Sequence, residues 1–254
     1  MTDRPGYDPL SRPNLGESVE RALLESPCGP LPPTQPFSGA GIYAIHYQGG
    51  FEPYRPISAP GCDTAIYVGK AIPPGARRGG VGLGVDPGVV LFARLSQHAR
   101  SIDQAQNLRI EDFRCRYLVV EDIWIPLGES LAIRKYRPLW NVGPVDGFGN
   151  HAPGSGRREQ ERSAWDVLHP GRPWADSLRT GREPDNVIGA IRLYFAGVIP
   201  PTPPTGDEDE PLPADPESIS APGLGRIDYG LDASDAGGEV GRDLALPEPD
   251  DPPS

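Results

Sequence analysis

Two tyrosines lie in short apolar stretches that could place a phenol beside a reacting group. Tyr43 lies in GIYAIHY, and Tyr67 lies in AIYVGK. A phenol can transfer a proton in general acid–base catalysis, but its ordinary pKa of about 10 is high for a general base. A metal ion or a nearby cation would have to favour the phenolate, and Lys70 directly follows YVG. Both tyrosines are equally compatible with an ordinary place in a sheet.

An arginine and a histidine lie four residues apart in a stretch with helical periodicity. Arg94 and His98 are therefore neighbours on the surface of a helix predicted over residues 88–102. Both lie just beside its apolar face, which consists of Leu91, Phe92, Leu95, Ala99 and Ile102. At this position the two side chains either fringe a buried stripe or lean over the rim of a sheet.

A glutamate lies on the apolar face of the next predicted helix. The stretch PLGESLAIRKYRP, residues 126–138, places Glu129 among Ala132, Ile133 and Tyr136. A carboxylate in such surroundings is costly unless another group compensates its charge. The compensating group is either an arginine or a metal ion, and the helix alone leaves both open.

The elements that would position these residues follow from hydrophobic periodicity. Strands rich in Ile, Tyr and Val are predicted at about 41–48, 64–69 and 113–121. A further helix is predicted at 14–26, with Asn14 and Glu17 as a capping box. The order after this first helix is strand, strand, helix, strand, helix. The apolar stretch 187–199 is predicted to be a last buried element or an oligomer contact.

The charge is distributed very unevenly along the chain. The net charge is −11, yet residues 201–254 contain 14 Asp and Glu against 2 Arg. The first 200 residues are therefore nearly neutral and rich in arginine, so the bulk charge does not argue against a polyanionic partner. The acidic segment is also rich in proline and poor in aromatic residues, which predicts disorder.

The cysteines and the apolar runs bear on the cellular compartment. Three cysteines at wide spacing predict neither a disulfide framework nor a CxxC metal site. No apolar run approaches the roughly 18 residues of a membrane span, and the first residues lack the apolar core of a secretory signal. The simplest expectation is a cytoplasmic protein without a membrane partner.

Taken together, these residues resemble the GIY-YIG nuclease superfamily. GIY is unaltered at Gly41–Tyr43, and the second signature is YVG at Tyr67–Gly69, with Val in place of Ile. The remaining matched positions follow in family order and are Arg94, His98, Glu129 and the asparagine of PLWN, Asn141. Residues 14 to about 178 resemble, more narrowly, type II restriction endonucleases of SacII-type specificity, which cut CCGCGG. The narrower resemblance rests on stretches such as GAGIYAI, RLSQHARSI, GFGNHAPGSGRR and LHPGRPWA.

The resemblance implies an α/β (α+β) fold with a three-stranded antiparallel sheet flanked by helices. The expected organisation is an N-terminal helix and arm over 1–37 and a nuclease domain over 38–180. A terminal element of the core over 181–200 and a disordered acidic tail over 201–254 follow. The tail lies outside the resemblance.

The resemblance also implies a role for each matched residue. Glu129 would hold one Mg²⁺ (or Mn²⁺), and Arg94 would bind the phosphate through two hydrogen bonds. Tyr43 would take the proton from the attacking water, with Tyr67 and His98 assisting in proton relay or orienting the phosphate. Asn141 would orient the phosphate or pin the Glu129 helix.

The implied substrate is double-stranded DNA with a palindromic target, which favours a homodimer and requires a cognate DNA methyltransferase. A G/C-only target favours arginines that pair with guanine. The basic candidates for DNA contact are Lys70, Arg77, Arg78, Arg157 and Arg158. Two alternatives remain open, namely a repair or homing GIY-YIG nuclease and a DNA-binding module without catalysis.

Overall fold

The computed structural model describes residues 11–73, 86–153 and 159–198. Within these ranges the α-helices are α1 (Arg12–Glu25), α2 (Val90–Asp103), α3 (Ile125–Tyr136), α4 (Ala164–Leu168) and α5 (Pro184–Phe195). The strands are β1 (Gly29–Pro30), β2 (Gly41–Tyr47), β3 (Ala65–Ala71) and β4 (Phe113–Val119). A 3₁₀ turn, Glu52–Ile57, lies between β2 and β3.

The strands form one antiparallel sheet in the order β1-β4-β2-β3. The three longer strands were predicted, and their ends differ from the prediction by one or two residues. The sequence did not predict β1, because two residues carry no periodicity. All seven residues of β2 are buried, because helices and loops cover both faces of the sheet. The sequence GIYAIHY is therefore nearly continuous in apolar residues instead of alternating.

Helices cover both faces of this sheet. On one face α1 packs against α3, and the two helices approach closely because Gly16 and Gly128 have no Cβ. A Cβ at Gly128 would lie 2.6 Å from the Val19 side chain and 3.2 Å from Ile42 Cδ1 on β2. On the opposite face α2 packs against β3. The small antiparallel sheet flanked by helices agrees with the predicted α/β fold class.

An aromatic cluster fills the rest of the α2 face. It consists of Tyr54, Trp140, Phe148, Trp165 and His169, all nearly or fully buried. Tyr54 Oη lies 2.5 Å from His169 Nε2 and accepts a hydrogen bond from Trp140 Nε1 at 3.0 Å. Burial lowers the pKa of His169 to about 3, with a smaller effect of Arg172, so the ring is neutral near pH 7. The cluster thus buries polar atoms without burying a charge.

The capping box predicted for the first helix is wrong. The helix begins at Arg12 with Ser11 at the N-cap position, and the Ser11 side chain makes no capping hydrogen bond. Asn14 and Glu17 therefore lie inside the helix and not at its boundary. The reason is Pro13, which belongs in the first turn of a helix, where its missing N–H costs nothing.

The last helix, α5, packs on α4 and on the 3₁₀ turn Glu52–Ile57. Val187 and Ile191 form its buried stripe, whereas Leu193 is 46% exposed. Part of the predicted apolar element is therefore buried, and its outer side faces solvent. None of the helices in the described ranges is long and apolar enough to cross a membrane.

The expectation that the cysteines form no disulfide is wrong for one pair. Cys28, just after α1, is bonded to Cys62 in the loop before β3, and Cys115 is a buried free thiol. The two partners are 34 residues apart, so no local spacing pattern reveals them. The bond removes one argument for a reducing compartment, because that argument rested on unpaired cysteines.

Reducing the Cys28–Cys62 bond is expected to lower the free energy of unfolding by about 4 kcal/mol, because it restores the entropy of a loop of 34 residues to the unfolded chain. Urea unfolding of the wild type with and without a phosphine reductant measures this loss. A Cys28→Ser, Cys62→Ser double variant is the control, and the reductant should not change its unfolding midpoint. A wild-type midpoint that is the same under both conditions would contradict the prediction.

Candidate active site

The sheet register brings the two signature tyrosines to the same face. Tyr43 on β2 lies opposite Gly69, and Ile45 lies opposite Tyr67, so the two phenol rings are diagonal neighbours. Their ring centroids are 6.2 Å apart. A Cβ at Gly69 would lie 2.3 Å from Tyr43 Oη. The glycine of YVG is therefore needed because the Tyr43 phenol crosses directly over it.

His98 on α2 completes a cluster with the two phenols. Its Nε2 lies 2.6 Å from Tyr43 Oη, and its ring lies 5.2 Å from the Tyr67 ring. Phe148 stacks on the imidazole, with the two ring centroids 4.6 Å apart. Burial holds the pKa of His98 well below its usual range, with further lowering by Arg94, His151 and Arg172. His98 is therefore neutral near pH 7, and the tautomer with its lone pair on Nε2 would accept a hydrogen bond from the Tyr43 hydroxyl.

Arg94 lies one turn before His98 and is only 8% exposed. Its Nη1 lies 3.2 Å from Gln97 Oε1 and 3.0 Å from His151 Nε2. The sequence placed Arg94 and His98 beside the apolar face of the helix, at a rim. Both are in fact buried, because the segment 147–152 folds over this side of α2. A local helical pattern cannot reveal this cover, since it comes from a distant part of the chain.

Glu129 on α3 forms an ion pair with Lys70 on β3. Glu129 Oε2 lies 3.0 Å from Lys70 Nζ, and both side chains are about one-sixth exposed. From the sequence, either an arginine or a metal ion was expected to compensate the Glu129 charge, and this lysine was not among the expected partners. Successive residues of a strand point to opposite faces, so Lys70 lies on the α3 side whereas Gly69 lies under Tyr43. The candidate site therefore extends around this end of β3.

Asn141 holds β3 from the side. Its Oδ1 accepts a hydrogen bond from Val68 N, and its Nδ2 donates to Val68 O, both at 2.8 Å. Val68 lies between Tyr67 and Gly69, so the amide fixes the backbone of the YVG signature. One of the two expectations was that Asn141 fixes the Glu129 helix. Its two amide hydrogen bonds instead fix the strand that carries Tyr67.

Sequence reasoning missed the residues that hold the segment 147–152 over α2. Arg172 is 1% exposed and donates from Nε to Asp166 Oδ1 at 2.6 Å. Its other nitrogens donate to the carbonyl oxygens of Gly147, Phe148 and Asn150. Its guanidinium also lies over two indole rings, at 4.4 Å and 4.7 Å. The signal was present in GFGNHAPGSGRR and LHPGRPWA, but neither stretch has a pattern that assigns a role.

Some of the predicted DNA contacts and the predicted tail lie in other parts of the chain. Arg77, Arg78, Arg157 and Arg158 lie outside the described residues, as does the acidic segment 201–254. Among the described residues no group of three or more His, Cys, Asp or Glu side chains could hold a metal ion. A metal at this site would therefore be held by fewer than three such side chains of the described ranges.

Comparison with known proteins identifies the family. A search of the curated proteins found no match to this chain. A family model described as the Eco29kI GIY-YIG domain matches residues 35–192, which is more than half of the chain. The match includes every residue of the Tyr43, Tyr67 and His98 cluster, as well as Arg94, Glu129 and Asn141. The chain therefore belongs to the Eco29kI GIY-YIG family, a family of restriction-endonuclease-like nuclease domains.

Proposed function

We propose that this chain is a type II site-specific endonuclease that hydrolyses phosphodiester bonds in double-stranded DNA. The observation that carries the proposal is the hydrogen bond between Tyr43 Oη and His98 Nε2, with buried Arg94 one turn away. Phosphodiester hydrolysis requires an activated water and positive charge at the phosphoryl oxygens. A tyrosine that is hydrogen-bonded to a neutral imidazole can activate the water, and the adjacent guanidinium supplies the positive charge.

These contacts support the following proposed roles. Tyr43 takes a proton from the attacking water while its own hydrogen moves toward His98 Nε2. The phosphate charge offsets the charge that the buried imidazole gains. Arg94 binds the phosphoryl oxygens, which suits a guanidinium because it donates in pairs. Tyr67 packs beside both rings and assists in orienting the phosphate.

The Glu129 side chain fits a single divalent cation such as Mg²⁺ or Mn²⁺. It is a hard oxygen ligand with partial exposure to solvent, and magnesium is commonly held by one carboxylate, waters and substrate phosphate. When bound, the ion would neutralise charge on the phosphate. Lys70 would balance the Glu129 charge before the cation arrives, because it already lies 3.0 Å away.

The substrate details rest on the resemblance to enzymes that cut CCGCGG. A palindromic target of this kind would be cut by a homodimer, one site per strand. Lys70 and the arginines at 77, 78, 157 and 158 are the proposed DNA contacts. A methyltransferase for the same sequence would protect the host DNA.

Two plasmids that differ only in one CCGCGG site test this proposal. With Mg²⁺, the wild type should linearise only the plasmid that contains the site. Glu129→Gln should raise the Mg²⁺ concentration needed for half-maximal cleavage by roughly 10- to 100-fold, because lower ligand charge weakens the binding of hard cations. The control is Glu121→Gln, an exposed glutamate shortly before α3, which should behave as the wild type.

Other outcomes point to the alternatives. Nicking of both plasmids at scattered positions would indicate a GIY-YIG nuclease of the repair or homing type. DNA binding without cleavage over a broad Mg²⁺ range would indicate a non-catalytic DNA-binding module. An unchanged Mg²⁺ requirement in Glu129→Gln would contradict the metal role alone.

A further inference from the structure

A cleft lies between α2 and the segment 147–152 that covers it. Among the described residues, its charged and titratable lining residues are Arg94, His98, Arg100, His151 and Arg172, and none of them is a carboxylate. Such a lining suits an anion, and a phosphate group of DNA is the anion that the proposed function supplies. His151 belongs to this lining, yet none of the matched signature positions includes it.

The contact between Arg94 and His151 has one chemically consistent form. A guanidinium carries only hydrogen-bond donors, so at 3.0 Å Arg94 Nη1 donates and His151 Nε2 accepts. The imidazole of His151 is then neutral and carries its hydrogen on Nδ1. His151 is half-buried, whereas Arg94 is nearly buried, so the histidine lies on the solvent side of the arginine.

The backbone that carries His151 is held firmly. Arg172 donates hydrogen bonds to the carbonyl oxygens of Gly147, Phe148 and Asn150, and Asp166 neutralises its charge. The same segment places Phe148 on the His98 ring. His151 directly follows Asn150, so the hydrogen bond from Arg172 to the Asn150 carbonyl helps to place it beside Arg94.

We infer that His151 is a positioning residue that holds the Arg94 guanidinium in the cleft before DNA binds. An arginine side chain has many rotamers, and fixing them when the phosphate arrives would reduce the gain from the contact. The His151 acceptor selects the useful orientation in advance. The inference rests on the proposed function, in which Arg94 binds the scissile phosphate.

Two substitutions at position 151 separate this role from others. His151→Ala should lower kcat/KM for DNA roughly 10-fold, in line with the cost of ordering one long side chain. His151→Gln should recover most of the lost rate, because its Oε1 can accept the same hydrogen bond. A wild-type rate in His151→Ala overturns the inference. A His151→Gln rate as low as that of His151→Ala also overturns it, since an acceptor alone would not suffice.

The second measurement needs no catalysis. Long-range ¹H–¹⁵N spectra at pH 8 should show His151 with hydrogen on Nδ1 and an unprotonated Nε2, assigned by the signals that His151→Gln lacks. Arg94→Leu should shift the Nε2 signal, because the hydrogen bond is removed. If the wild type cuts no DNA but this shift occurs, the proposed function fails and the Arg94–His151 contact stands. If the wild type cuts DNA and no shift occurs, the inference alone fails.

Discussion

Tyr43→Phe is expected to lower the single-turnover cleavage rate by roughly 10²- to 10⁴-fold, the usual contribution of a general acid or base. The substitution removes only the hydroxyl, which lies 2.6 Å from His98 Nε2. The ring remains over Gly69 and beside Tyr67, so the packing is kept. DNA binding measured in Ca²⁺ should change little, and the rate loss should appear in the chemical step.

The matched control for this experiment is Tyr117→Phe. Tyr117 lies directly opposite Tyr43 on β4 and faces the same side of the sheet. Its ring stacks on Phe37 at 4.4 Å, and no catalytic role is assigned to it. Tyr117→Phe should therefore cleave as the wild type does. If Tyr43→Phe also cleaves at a rate close to the wild type, the Tyr43 hydroxyl has only a structural role.

Asp166→Asn is expected to lower the free energy of unfolding by about 3–5 kcal/mol, as breaking a buried ion pair does. The Asp166 and Arg172 side chains are each 1% exposed, so the substitution leaves the guanidinium charge buried and uncompensated. Asp166 also accepts a hydrogen bond from Ser163 Oγ, the residue that caps α4. Urea unfolding followed by tryptophan fluorescence measures the loss, because Trp165 and Trp174 flank Arg172.

A second Asp→Asn substitution serves as the reference. Asp176 pairs with Arg162 at 3.5 Å, but its side chain is 63% exposed. Exposed pairs contribute about 1 kcal/mol or less, so Asp176→Asn should have a correspondingly small effect. Equal losses in the two variants would show that burial of the Arg172 charge is not what makes Asp166 important.

Much of the fold could be predicted because its strands and helices are determined by short sequence patterns. The apolar run of β2 and the helical spacing of α2 each depend on about a dozen residues or fewer, and a local pattern suffices for them. The order of these elements agrees with the fold that was implied by the resemblance of the motifs around Tyr43, Tyr67, Arg94, His98, Glu129 and Asn141 to the GIY-YIG superfamily. Family membership now supports this identification over residues 35–192.

The features that escaped prediction are contacts between distant parts of the chain. Glu129 is compensated by a lysine on β3, and helical periodicity gives no information about a strand that precedes it by some sixty residues. Arg172 appears in the sequence as an ordinary surface arginine, because its carboxylate, its carbonyl acceptors and its indole rings meet only in the folded protein. Asn141 likewise acts on Val68, far from it in sequence.

The contacts of β3 with the PLWN segment have a consequence for self-association. β3 is an outer strand of the sheet, and the unpaired backbone of such a strand is a template for addition of another chain. Here Asn141 occupies both backbone groups of Val68, and Trp140 N donates to Ile66 O at 3.0 Å. The PLWN segment thus occupies backbone groups of β3 that another strand would need for pairing. A homodimer of the proposed kind would therefore not form by strand addition at Ile66–Val68.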